Sequence, residues 1–390
     1  MPAKPSLELL RSLTDEHVLR ALMQARRLTR ADLATRTGIS KPTVGESVRR
    51  LTEAGLLVDT GQRTAGGRGR GRVGSYYALA DDIGATLVFS IAPEGVVAEC
   101  VDVYGDVVSR AEQQIRRPAR PAQVAAALRA AATQAQHSAG LPTRLAVVSA
   151  ADPVDRTTGR LIHLPDAPFL LGQLSPVDVL ASHVDVPVIV DNDVNWAAQA
   201  EREHGGTGTL DDFAYVFLGE GLGCAVISDG AVRRGHAGIA GEIAHIITAG
   251  PQGQATLFTE VFAELGVRRA GSTAVDVERL LSTVAGPDPD AVAMREALGR
   301  AISGVLAAVV ALTDPELIII GGSWGRQPII IEVISSAFKR LPRNVPIRPA
   351  QLTEEPSLAG ARRHALSRLR STIVALPHEQ RTAESHQAAG

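Results

Sequence analysis

The stretch from Thr29 to Gly55 leaves this chain few choices of local fold. Thr29, three residues before Asp32, predicts a helix start, with the acid in the first turn favoured by the helix dipole. Gly38 stops that helix, and Ser40 opens another with Pro42 tolerated in its first turn. Val44, Val48 and Leu51 share one stripe of the second helix, which must face a core. An earlier helix, preceded by Thr14, carries Val18, Leu19 and Leu22 on one face. Two short helices joined by a glycine turn make a helix-turn-helix, and in such a unit the second helix enters the major groove of DNA. Lys41, Thr43 and Ser47 are the expected base or phosphate contacts near its start, and Arg49 and Arg50 suit flanking phosphates.

The next segment points the same way. Leu56-Leu57-Val58 begins a strand and Tyr76-Tyr77-Ala78-Leu79 ends a second, with Arg68-Gly69-Arg70-Gly71-Arg72 between them. Arginines spaced by glycines form a thin cationic ribbon, so Arg68, Arg70 and Arg72 are expected on a wing that lies in a narrow minor groove. The first 72 residues hold 14 Lys and Arg against 7 Asp and Glu, whereas the whole chain is −2. A small basic module, residues 1–80, is thus joined to a large acidic body.

That body is long enough for real cores. Cys100 and Cys224 stand far apart without metal-type spacing, which predicts a reduced protein. Residues 1–16 lack the apolar run of a signal peptide, and Leu317–Ile320 is far too short to span a bilayer. A cytoplasmic location without membrane contact is expected. Strand patterns at 86–91, 96–103 and 107–115 precede an Ala-rich helix at 121–139 and further strands at 145–148 and 186–190. A second set of strands and helices runs from Phe213 to about Leu352, and within it the strand Glu316–Ile320 ends in the turn Gly321-Gly322. This order predicts an α/β body with helices on mixed sheets.

Several short constellations recur along the body: Asp82-Ile83-Gly84-Ala85-Thr86, Asp191-Asn192-Asp193, Gly219-Glu220-Gly221-Leu222-Gly223 and Gly241-Glu242-Ile243-Ala244-His245. Each is weak alone. In this order, and with the basic module in front, the chain resembles the ROK family of repressors and sugar kinases over nearly its whole length. The resemblance implies an N-terminal winged helix-turn-helix and an actin-like ATPase body, an RNase H-like fold of two lobes around a cleft. The lobes are expected at 81–194 and 195–375, with residues 376–390 a disordered tail. It implies that Asp82, Gly84 and Thr86 form the first phosphate loop. Asn192 and Asp193 match the sugar-binding pair, whose Asp is the general base in kinases. Glu242 and His245 match the motif that hydrogen-bonds sugar hydroxyls.

The departures from the family pattern favour sensing over phosphoryl transfer. Ala85 and Leu87 stand where kinases of the family carry a second Gly and a cation, and Glu220 puts a carboxylate into the second phosphate loop. Nucleotide is therefore not expected as a cofactor, nor is enzyme activity. The segment after His245, Ile246 to Gln254, holds none of the cysteines of the family's zinc site, so no zinc is expected. Asp152 stands where a Gly is the rule, and Glu260 falls near the place of the family's last sugar-binding Glu. The resulting expectation is a transcriptional regulator, a repressor of sugar-related genes, bound as a homodimer or tetramer to a double-stranded operator and answering a sugar or sugar derivative. The alternatives are an active sugar kinase with an appended DNA-binding domain, and a body that only dimerises.

Overall fold

A computed structural model describes residues 7–64, 74–164, 169–204 and 210–387. The winged module is built from α1 (Leu7–Ala25), β1 (Arg27–Thr29), α2 (Arg30–Thr37), α3 (Lys41–Glu53), β2 (Leu57–Arg63) and β3 (Ser75–Leu79), with strand order β1-β3-β2. Thr29 and Asp32 form a reciprocal capping box, and Gly38 ends α2 at φ 70°. Ser40 caps α3 by accepting from the Thr43 amide. Val44, Val48 and Leu51 are buried against Val18, Leu19 and Leu22 of α1. Burial of each such side chain is worth about 1.5–3 kcal/mol. The first helix starts at Leu7 rather than after Thr14, whose hydroxyl donates to the Leu10 carbonyl inside the helix. Residues 65–73, and with them Arg68, Arg70 and Arg72, lie outside the described residues.

Lobe 1 contains β4 (Ala85–Ala92), β5 (Gly95–Asp102), β6 (Val107–Gln114), α4 (Pro121–Ala139), β7 (Thr143–Ala150), α5 (Pro176–Ala181), β8 (Val188–Asn192) and α6 (Asp193–His204). Its sheet order is β6-β5-β4-β7-β8, antiparallel through β4 and parallel beyond it. Lobe 2 begins with β9 (Phe213–Leu218), β10 (Leu222–Ser228) and β11 (Ala231–Val232). There follow β12 (Ile247–Ala249), β13 (Ala255–Leu257), α7 (Phe258–Glu264), α8 (Val277–Val284) and α9 (Pro289–Thr313). The chain closes with β14 (Leu317–Gly321), α10 (Pro328–Phe338), β15 (Ile347–Pro349) and α11 (Pro356–Gln387). The second sheet, β11-β10-β9-β14-β15, repeats the order and strand directions of the first. Such paired open sheets offer ligands the crevice beyond their strand ends. By length and apolar character α9 could cross a membrane, yet Leu298, Ile302, Val305, Leu306 and Val309 are core of lobe 2.

Two helices tie the parts together. Val194, Ala197 and Ala198 of α6 pack with the second sheet, while Trp196 packs with the first. The last helix does not stay with lobe 2, where residues 195–375 were expected to form one unit. Leu358, Ala361 and Ala365 of α11 cover the first sheet beside Trp196, and Leu369 and Ile373 enter the core of the winged module. Gly360 makes this crossing possible, since a Cβ there would stand 2.0 Å from the Trp196 carbonyl oxygen. Buried Glu99 on β5 accepts from Arg362 of α11 at 2.8 Å and from Arg110 at 2.8 Å. The expected disordered tail is also corrected, for α11 continues through residues 376–387. Extending a seated helix costs little compared with nucleating one.

Candidate functional site

A cavity of about 540 Å³ opens between the two lobes. Lobe 1 supplies Pro93 and Glu94 from the β4–β5 turn, Asp152 just beyond β7, and Asn192 and Asp193 where β8 passes into α6. Lobe 2 supplies the β9–β10 turn at Gly219–Gly223, together with Glu242 and His245. Pro356 and Ser357, the start of α11, complete the wall.

Local chemistry holds these groups in place. The Val194 amide donates to Asn192 Oδ1 at 3.0 Å and to Asp193 Oδ1 at 2.8 Å, so the start of α6 fixes both side chains. Asn192 Nδ2 donates to the Asp152 carbonyl at 3.2 Å, which links β8 to the loop after β7. Glu242 precedes a single turn of 3-10 helix, Ile243–His245. Gly241 before it has φ 96°, and a Cβ would stand 1.8 Å from the Cys224 carbonyl oxygen. The β9–β10 turn is held by Trp324, a buried indole that donates to the Gly219 carbonyl at 2.8 Å. No pattern in the sequence singled out that tryptophan.

The cavity is acidic. Glu94, Asp152, Asp193, Glu220 and Glu242 line it, and no lysine or arginine does among the described residues. Desolvation, then the neighbouring Asp193 and Glu242, push the Asp152 carboxyl up to about 7. Desolvation also raises Asp193 to about 7, against the opposing hydrogen bond from Val194. Glu242 rises to about 7 through desolvation and the charge of Asp193. Asp152 is 3% exposed, and its Oδ2 has no hydrogen-bond partner among the described residues.

Three expectations need correction. Asp82, Gly84 and Thr86 do not touch the cavity; they sit at the start of β4, whose far end reaches it through Ala92, Pro93 and Glu94. Thr86 is buried with its hydroxyl on the Leu145 carbonyl, and Ala85 and Leu87 are sheet core. The hairpin turn was the better candidate, because it is where two strands end together at the crevice. Glu220 does line the cavity, but Arg117 at 2.5 Å and Arg269 at 2.7 Å neutralise it. Arg117 belongs to lobe 1 and Arg269 to lobe 2, so Glu220 bridges the two. Glu260 pairs with Arg268 at 2.7 Å, and its neighbour Thr259 lines the cavity instead. The loop after His245 is secured by the β12–β13 hairpin and by Thr248 donating to the Ala301 carbonyl at 2.7 Å.

On the winged module, Lys41, Thr43 and Arg49 are exposed on α3. Arg49 meets Glu46 at 2.7 Å and Glu53 at 3.0 Å, pairs that exposed side chains exchange readily. Ser47 is corrected: it is fully buried, and its hydroxyl donates to Asp15 Oδ1 at 2.6 Å. Arg50 is mostly buried and reaches the same buried oxygen at 2.7 Å. Both lock α3 to α1 instead of facing outward. Ser47 lies in register with Val44, Val48 and Leu51, so the helical stripe that marked the core already contained the reason.

Two duplicate sheets around a cleft, fused to a winged helix-turn-helix, define a kinase-like body with a DNA-binding module. The winged helix-turn-helix DNA-binding model matches residues 11–58, and the ROK family model matches residues 100–367. The chain belongs to the ROK family. It is 27% identical over 312 residues to a glucokinase of Streptomyces coelicolor, spanning 72% of this chain and 96% of that protein. It is 22% identical over 234 residues to a putative xylose repressor of a Caldicellulosiruptor species, spanning 59% of this chain and 57% of that protein. A solved ROK family transcriptional regulator, a homolog of the E. coli MLC protein, superposes with a TM-score of 0.64 at 19% identity. That superposition covers 93% of this chain and 99% of the regulator, and so extends the likeness of fold to the winged module.

Proposed function

We propose that the protein is a DNA-binding transcriptional repressor of sugar-related genes, whose kinase-like cleft senses a sugar or sugar derivative. One observation carries this reading: α11 begins in the cleft wall at Pro356 and Ser357 and buries Leu369 and Ile373 in the winged module. From Pro356 to Ile373 the helix spans about 27 Å, and so joins the two sites by one element. A ligand that favours one lobe arrangement shifts α11, and with it the α1–α3 unit, so effector and operator bind with reciprocal coupling. Lys41, Thr43 and Arg49, with Arg68, Arg70 and Arg72, carry the DNA contact. Asn192, Asp193, Glu242 and His245 carry the ligand.

Two such modules in a homodimer suit a pseudo-palindromic operator. Exposed Leu9, Leu10 and Leu13 on α1 support pairing of copies there. The reading places the protein in the cytoplasm and gives it neither nucleotide nor zinc. The acidic wall supports the absence of nucleotide, since no lysine or arginine lines the cavity among the described residues to meet a triphosphate.

Sugar phosphorylation is the second reading, favoured by the 27% identity to a glucokinase. Both are tested together. An operator selected from a random duplex pool is titrated with protein, and then with a panel of sugars, following anisotropy. Release by one sugar, without ATP consumption in the same mixture, is the expected result. Robust ATP turnover with any sugar would overturn the assignment.

A further inference from the structure

The cleft sorts its carboxylates into two kinds. Glu220 is neutralised by Arg117 and Arg269, and Glu94 lies 3.8 Å from Arg117. Asp152, Asp193 and Glu242 have no lysine or arginine beside them in the cavity wall. Asp152 is the most buried of the three, and its free Oδ2 is a full acceptor left unused in a described interior that otherwise pairs most such atoms. An acceptor so placed serves a donor that arrives with the ligand. A neutral hydroxyl would satisfy the hydrogen bond but leave the crowded like charges uncompensated. A protonated amine satisfies both.

We propose that the effector is a polyol bearing a cationic amine, an unacylated amino sugar in chemical class, with Asp152 as the counter-ion of the ammonium. Asp193 and Glu242 take its hydroxyls. This rests on the sensing role proposed above for the same cleft. Glu94, Glu220 and His245 face the space from its rim. His245, on the lobe 2 side, is the wall's one imidazole among the described residues.

The test compares matched probes by titration calorimetry on the full chain at pH 8: glucose, mannose and galactose, their 2-amino and 6-amino forms, and their N-acetyl derivatives. An amine is expected to bind at least tenfold tighter than its hydroxyl and N-acetyl counterparts. That preference should fall at least tenfold in Asp152→Asn, with Asp152→Gly as a second variant and thermal denaturation confirming that each is folded. Binding of neutral sugars without preference for the amine overturns the amine assignment and leaves the sensing role standing. An amine preference that survives in both variants overturns the role of Asp152. Failure of every probe to bind overturns the sensing role together with this inference.

Discussion

The two ends of this molecule are built in opposite ways. The winged module offers exposed side chains from one short helix, Lys41, Thr43 and Arg49, two of them cationic. The cleft offers half-buried and buried acidic groups from three distant segments, at residues 152, 193 and 242, with exposed Glu94 beside them. An exposed cation keeps its water and loses little by waiting for phosphate. A buried carboxylate without a counter-ion is costly to hold, and that cost is relieved only when ligand or proton arrives. The first arrangement suits broad affinity for a polyanion, and the second suits a switch.

The comparison breaks most easily at the helix that joins the ends. Glu99→Ala leaves Arg110 and Arg362 facing an empty, buried place on β5. A loss of about 3 kcal/mol of stability is expected in denaturant unfolding. If stability falls but the sugar still releases operator in full, α11 is not the coupling element. Next in size is the basic end. Replacing Arg68, Arg70 and Arg72 by Ala should weaken operator binding on the order of tenfold to a hundredfold and flatten its salt dependence by up to about three counterions. Unchanged affinity would remove the wing from the contact.

The acidic end predicts a pH effect of opposite sense to an ordinary acid ion pair. Asp152, Asp193 and Glu242 hold their protons up to about 7, whereas the unfolded chain releases them near the usual carboxylate range. Between those limits the unfolded state ionises first, so stability falls as pH climbs from about 4 to 7. Asp152→Asn should therefore raise stability at pH 8, by on the order of 1–2 kcal/mol after allowance for coupling among the three. A melting temperature that is equal in wild type and variant at pH 8 would contradict the assigned burial. The smallest effect concerns the bridge between lobes. Arg117→Ala leaves Glu220 with Arg269 alone, costing about 0.5–1 kcal/mol and shifting effector affinity a few-fold. No change in affinity would mean that the bridge does not report lobe closure.

The winged module was legible residue by residue because its signals are local. The Thr29–Asp32 capping box, the Gly38 stop and the Ser40 cap each act within one turn of helix. Ser47 and Arg50 were misread because a partner 32 and 35 residues away, Asp15, decides which way they face. In the body, the strands and the Asn192-Asp193 corner followed from alternation and order. The phosphate-loop placement at Asp82 failed because both ends of β4 carry turn residues, and only pairing with β5 and β7 shows which end opens on the crevice.

By itself, the sequence determined the basic module, the repeated α/β order of the body and its family, all written in periodicity, caps and ordered motifs. Tertiary structure decided that Asp152 would join Asp193 and Glu242, and that α11 would leave lobe 2 to bind the winged module. Both outcomes depend on groups far apart in the chain, and burial, which sets the charge state of the acids and the seat of the helix, exists only once the lobes have closed around them.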